Sequence, residues 1–137
     1  MLWTYSLTEE RDGMKIIDFH THPYFNTTKK FGYDMTEELF VKELRRAGIS
    51  LSAGSSLDMD IINSGLDYGE VIKKLNQMSW DFSQKNPDFF IPGIHIHPNF
   101  SEESRNEILS YSKKGVKLVG ELVPYLMGFS VNEDAYL

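Results

Sequence analysis

From Lys15 onward, short apolar runs alternate with longer stretches of helical periodicity, the pattern of successive βα units and a parallel sheet. The apolar runs predict four strands, over residues 15–20, 49–53 or slightly beyond, 90–97 and 117–123. Apolar residues stand side by side in them, as in Ile16-Ile17 and Leu118-Val119, and that suits parallel strands covered by helices. Three helices are predicted between the strands. The first, residues 36–47, has Thr36 as its cap, Glu37 and Glu38 in its first turn, Arg45 and Arg46 in its last, and Gly48 after it. Acid at the amino end and base at the carboxyl end both suit the helix dipole. The second, residues 68–85, places Val71, Leu75, Met78 and Phe82 in one stripe that should face the sheet, and Asn86-Pro87 ends it. The third, residues 102–114, has Ser101 as its predicted cap and leaves through Lys113-Lys114-Gly115.

The two ends do not fit the repeat. Residues 1–13, with Glu9, Glu10, Arg11 and Asp12, read as a leader or flexible tail ahead of a domain spanning residues 14–137. Ser130-Val131-Asn132-Glu133 is a capping box, the usual opening of a helix, with only four residues after it. Four residues are too few to nucleate a helix, so the sequence is expected to stop inside its fourth βα unit.

Composition narrows the function classes. At 137 residues with 41% hydrophobic and 13% aromatic content, the chain is expected to be one globular domain. A net charge of -6, from 20 acids among 14 bases, leaves no basic stripe for a nucleic-acid backbone. No apolar stretch approaches the roughly 20 residues that span a bilayer. A cytoplasmic protein with a small-molecule substrate is the expectation. The absence of cysteine means that any metal must rest on histidine and carboxylate, which points to zinc or manganese.

The candidate chemistry begins at His20-Thr21-His22, which follows Ile16-Ile17-Asp18-Phe19 and precedes Pro23. Residues two apart in a strand share a face and stand roughly 6 to 7 Å apart along it, close enough for both imidazoles to grip one divalent ion. Asp18 shares that face one pleat deeper and could anchor the ligands from outside. His95 and His97 repeat the spacing, and His97, nearer the carboxyl end, is the candidate for substrate contact. The alternative is that both fill the interior of the fold. Glu121 ends the fourth strand, where an inward carboxylate would need a cation or hydrogen bonds, which favours a site role, an edge-exposed glutamate being the alternative. Lys117 reads as structural. Ser52-Ala53-Gly54-Ser55-Ser56 could shape a loop over the site but signals only a turn.

Three segments together, Ile17-Asp18-Phe19-His20-Thr21-His22-Pro23, Pro92-Gly93-Ile94-His95-Ile96-His97-Pro98 and Gly115-Val116-Lys117-Leu118-Val119-Gly120-Glu121, resemble the amidohydrolase superfamily. The resemblance is strongest to its amidohydrolase-related branch, which includes decarboxylases similar to aminocarboxymuconate-semialdehyde decarboxylase. It implies an α/β fold, a partial TIM (β/α)₈ barrel in which this chain supplies about four βα units of a body typically about 250 residues long. It also implies a divalent metal, most simply zinc, with His20, His22 and Glu121 as ligands and Glu121 as catalytic carboxylate, and hydrolysis or decarboxylation of a small molecule. The later histidine and aspartate ligands of that family have no counterpart here, so this portion alone is expected to be inactive. A metallophosphoesterase with an Asp-x-His-x-His opening fits the Gly-Val-Lys-Leu-Val-Gly-Glu segment less well. The competing expectation is a non-catalytic half-barrel that self-associates or completes a partner chain through open sheet edges.

Overall fold

A computed structural model describes residues 15–23, 35–120 and 122–130. The expected leader, Glu121 and the capping box beyond Ser130 lie outside the described residues. The four expected strands are present as β1 (Ile16–Asp18), β2 (Ile49–Gly54), β3 (Phe90–Ile94) and β4 (Leu118–Val119). They form one parallel sheet in the order β1-β2-β3-β4, a curled half-barrel with helices between the strands. Asp18 aligns with Ser52, Ser52 with Phe90, and Gly93 with Leu118. In a flat sheet, three strand spacings of about 4.8 Å would hold β1 and β4 roughly 14 Å apart. Here residues just past β1 and residues of β4 line one hollow, together with Gly54 at the end of β2.

The helices are α1 (Glu37–Arg46), α2 (Met59–Ile62), α3 (Tyr68–Lys85), α4 (Ser101–Lys113) and α5 (Pro124–Met127). Thr36 caps α1, its Oγ1 accepting from Leu39 N–H at 3.1 Å. Asp67 caps α3 through Glu70 N–H at 2.9 Å. The expected stripe on α3 does face the sheet: Val71, Leu75 and Phe82 are buried, and Met78 packs partly buried beside them. Leu75, Val71 and Ile72 form one core cluster with Leu57, Ile62, Val123 and Met127. Phe82, Phe89 and Phe90 form a second, closed by Phe40, Val41 and Leu44 of α1. Removing this apolar area from water is what holds the layers together.

Several boundaries depart from expectation, each for a local reason. β1 stops at Asp18 instead of His20, because Asp18 Oδ1 accepts from the His20 N–H at 2.9 Å and the chain bends at Phe19. β3 stops at Ile94 instead of His97, because the Asn76 side chain takes both main-chain groups of His95. Asn76 Oδ1 accepts from His95 N–H at 2.6 Å, and Asn76 Nδ2 donates to the His95 carbonyl at 3.1 Å. β4 is only two residues long because Gly120, at φ 120°, leaves the extended conformation. Ser101 is the first residue of α4 and not its cap. A 3₁₀ turn, Pro98–Phe100, leads into α4, and Phe100 at the cap position makes no side-chain cap bond. The four-residue helices α2 and α5 are too short to show helical periodicity. No described helix is long and apolar enough to cross a membrane.

Candidate functional site

The bend made by Asp18 carries the chain from β1 into His20-Thr21-His22 at the carboxyl end of the sheet. The two imidazole centres lie 5.1 Å apart and edge to face. Two imidazoles on one ion at about 2.1 Å, with a tetrahedral angle between them, would have centres about 5 Å apart. The spacing therefore suits a shared ion. Both rings line a hollow of about 340 Å³ with Phe19, Gly54, Leu118, Val119 and Gly120. His22 Nδ1 lies 2.8 Å from the Ser55 carbonyl. A carbonyl only accepts, so Nδ1 carries the hydrogen and the lone pair is left on Nε2. That is the tautomer in which metal-binding histidines are usually held. Asp18 reaches the pair through the main chain, its carboxylate accepting from the His20 N–H.

What sequence reasoning missed is the support under the pair. The stretch expected to be a turn, residues 52–56, is half strand and wholly buried, with Ser52, Ala53 and Ser55 fully enclosed. Thr21, between the histidines, is 7% exposed and lies along it. Its N–H donates to the Ala53 carbonyl at 3.2 Å, and its hydroxyl donates to the same oxygen at 3.2 Å. Ser52 Oγ, 2.5 Å from Thr21 Oγ1, is then the donor to that hydroxyl. A Cβ on Gly54 would stand 1.9 Å from the Thr21 carbonyl oxygen, so this position admits only glycine. The signal available in the sequence was the Gly flanked by small residues, which marks a close backbone approach as well as a turn.

His95 and His97 are both buried, and their rings reach different elements. His95 Nε2–H donates to the Ser56 carbonyl at 2.8 Å. His97 Nε2–H donates to the Met127 carbonyl at 3.0 Å, and its Nδ1 accepts from Asn99 N–H at 3.2 Å. The His97 ring stacks on Tyr68 at 4.8 Å and meets Phe129 edge-on at 4.7 Å. With both nitrogens bonded to main chain, His97 ties the exit of β3 to α5. No group of three or more metal-ligating side chains placed to hold one ion occurs among the described residues. Two donors of the right type and spacing are present, and Glu121 lies outside the described residues.

No protein-family model matches the chain, and no curated protein matches it in sequence. Among solved structures it is similar to the crystal structure of a putative amidohydrolase from Staphylococcus aureus, with a TM-score of 0.65 and 17% identity. The two share a fold. The match covers 90% of this chain and 42% of that one, so the chain spans less than half the length of the protein it matches. At this identity the likeness concerns architecture, and the chemistry has to be argued from the residues in the hollow.

Proposed function

We propose that this chain forms part of a metal-dependent enzyme of the amidohydrolase type, with His20 and His22 as two ligands of a divalent cation, most simply zinc. The observation that carries the reading is the histidine pair at 5.1 Å on the wall of one hollow, with His22 oriented by the Ser55 carbonyl. The partial-barrel architecture supports it, since barrel enzymes hold their chemistry at the carboxyl ends of the strands. A cation held there would supply Lewis acidity toward a carbonyl or an acidified water, for hydrolysis or decarboxylation of a small molecule. Glu121 follows Gly120, which lines the hollow, and enters the proposal as third ligand and catalytic carboxylate. Asp18 sets the entry bend, and Ser55 holds the tautomer of His22. His97 enters as a tie within the fold, because touching substrate would require it to release Met127 or Asn99.

A catalytic zinc ordinarily has three protein ligands and an open position. With His20, His22 and the proposed Glu121 as its three, the chain is expected to bind zinc measurably. Titration calorimetry with zinc tests this: wild type binds, and the double variant His20→Ala, His22→Ala loses the measurable heat. Equal affinity in the double variant refutes the site.

A second reading, a half-barrel that associates with another copy, is favoured by one specific observation. Ile17 and Phe19, in and beside edge strand β1, are 46% and 66% exposed, and Val119 in edge strand β4 is 44% exposed. Open edges carrying apolar side chains are association surfaces.

A further inference from the structure

The proposed ligand pair is separated by a buried residue that does not line the hollow and is bonded to β2. Thr21 makes three hydrogen bonds to β2, two to the Ala53 carbonyl and one from Ser52 Oγ. Its carbonyl lies against the bare Cα of Gly54. One residue further along β2, the Ser55 carbonyl takes the Nδ1–H of His22. Residues 52–55 thus act as a rail with four successive attachment points for Thr21 and His22. Beyond Asp18 the β1 ladder has ended, and Thr21 replaces it as the link between β1 and β2.

We propose that Thr21 is the positioning residue of the histidine pair, and that its hydroxyl, through Ser52 and Ala53, sets the register that lets His22 reach Ser55. The proposal rests on the metal-site reading for its consequence, while its geometric content stands on the metal-free protein. If Thr21 only filled space, valine would serve equally well, being of the same shape. If the hydroxyl sets the register, valine leaves Ser52 Oγ without its acceptor in a fully buried place, and the segment is released from the rail. The Nδ1–H of His22 then exchanges between Ser55 and water, and the ring samples both tautomers.

The test uses the full chain, labelled with ¹⁵N, as wild type, Thr21→Val and Thr21→Ser. Imidazole nitrogen shifts of the metal-free proteins report the tautomer of His22, and calorimetry with zinc reports affinity. Wild type and Thr21→Ser are expected to show a single Nδ1–H form of His22, and Thr21→Val a mixture with zinc affinity reduced by about tenfold or more, the usual effect of losing a group that orients a ligand. Thr21→Val with wild-type His22 shifts overturns the proposal, whatever its zinc affinity. A wild type that binds no zinc removes the metal reading but leaves the tautomer comparison to judge Thr21. Should Thr21→Val not fold cooperatively, Ser52→Ala removes the same bond from the other strand. It is expected to move the His22 nitrogen signals the same way, and unmoved signals there overturn the proposal.

Discussion

The middle of the sheet and its two edges are built differently. β3 packs against α3 and β2 against α1, and Ala53, Phe90 and Ile94 of these strands are buried, as are Val71, Ile72, Leu75 and Phe82 of α3. β1 and β4 are three and two residues long, and Ile17, Phe19 and Val119 remain exposed on or beside them. Stability should therefore come from the centre, while the histidine pair hangs from the thinner of the two regions. The pair keeps its geometry because Thr21 and His22 are tied to β2, so the centre lends its rigidity to an edge that has little of its own. Site and scaffold are separable in this protein, and substitutions can show how far.

The largest effect is expected at the centre. Leu75 is fully buried in the main cluster, and Leu75→Ala removes its side chain from among Leu57, Ile62, Val71 and Val123. A loss of about 3 kcal/mol is expected from urea unfolding, within the usual range for buried leucine. A loss under about 1 kcal/mol would mean that the centre is loosely packed and that the contrast with the edges is false.

An intermediate effect, of a different kind, is expected at the edge. Phe19→Ser exchanges a largely exposed ring for a hydroxyl, so the unfolding free energy should change by less than about 0.5 kcal/mol. Sedimentation should instead show less self-association than in wild type, because an apolar ring beside an open strand edge has gone. Strong destabilisation without any change in association would place Phe19 in the core and erase the distinction between the regions.

The same contrast governs what was legible in the sequence. α1 and α3 carry their own signals, Thr36 and the Glu37-Glu38 pair for one, the Val71 to Phe82 stripe for the other, and both form close to their expected bounds. The existence and parallel order of the strands were equally legible. Their lengths were not, because the groups that end them are partly distant in sequence: β3 stops where Asn76, 19 residues earlier, takes over the main chain of His95. At the site, the spacing of His20 and His22 was visible as a pattern. The rail beneath them was only hinted at by Gly54 among small residues, because the need for glycine there arises only when Thr21 is laid against it. α2 and α5 were missed because four residues hold about one turn, too little for a period to show. Asp58, which caps α2 by accepting from Asp60 and Ile61 N–H, was its only written sign.

An effect confined largely to alkaline pH sharpens the comparison from the helical side. Tyr111 of α4 packs with Ile94, Val116 and Trp80, and burial, helped by Glu107 and Asp81, raises its phenol to about 12. The unfolded chain would ionise the same phenol near about 10. A pKa raised by folding means that the folded state disfavours the phenolate. The associated stability is complete below the unfolded value and is lost as pH climbs from there through the folded value. Tyr111→Phe should flatten that alkaline limb in an unfolding series across pH. At neutral pH it should lower stability by no more than about 1 kcal/mol, the worth of the hydrogen bond from the Tyr111 hydroxyl to Gln77 Oε1. An alkaline limb of the same slope in the variant would show that Tyr111 is open to solvent and that α4 belongs, with β1 and β4, to the loosely covered part of the molecule.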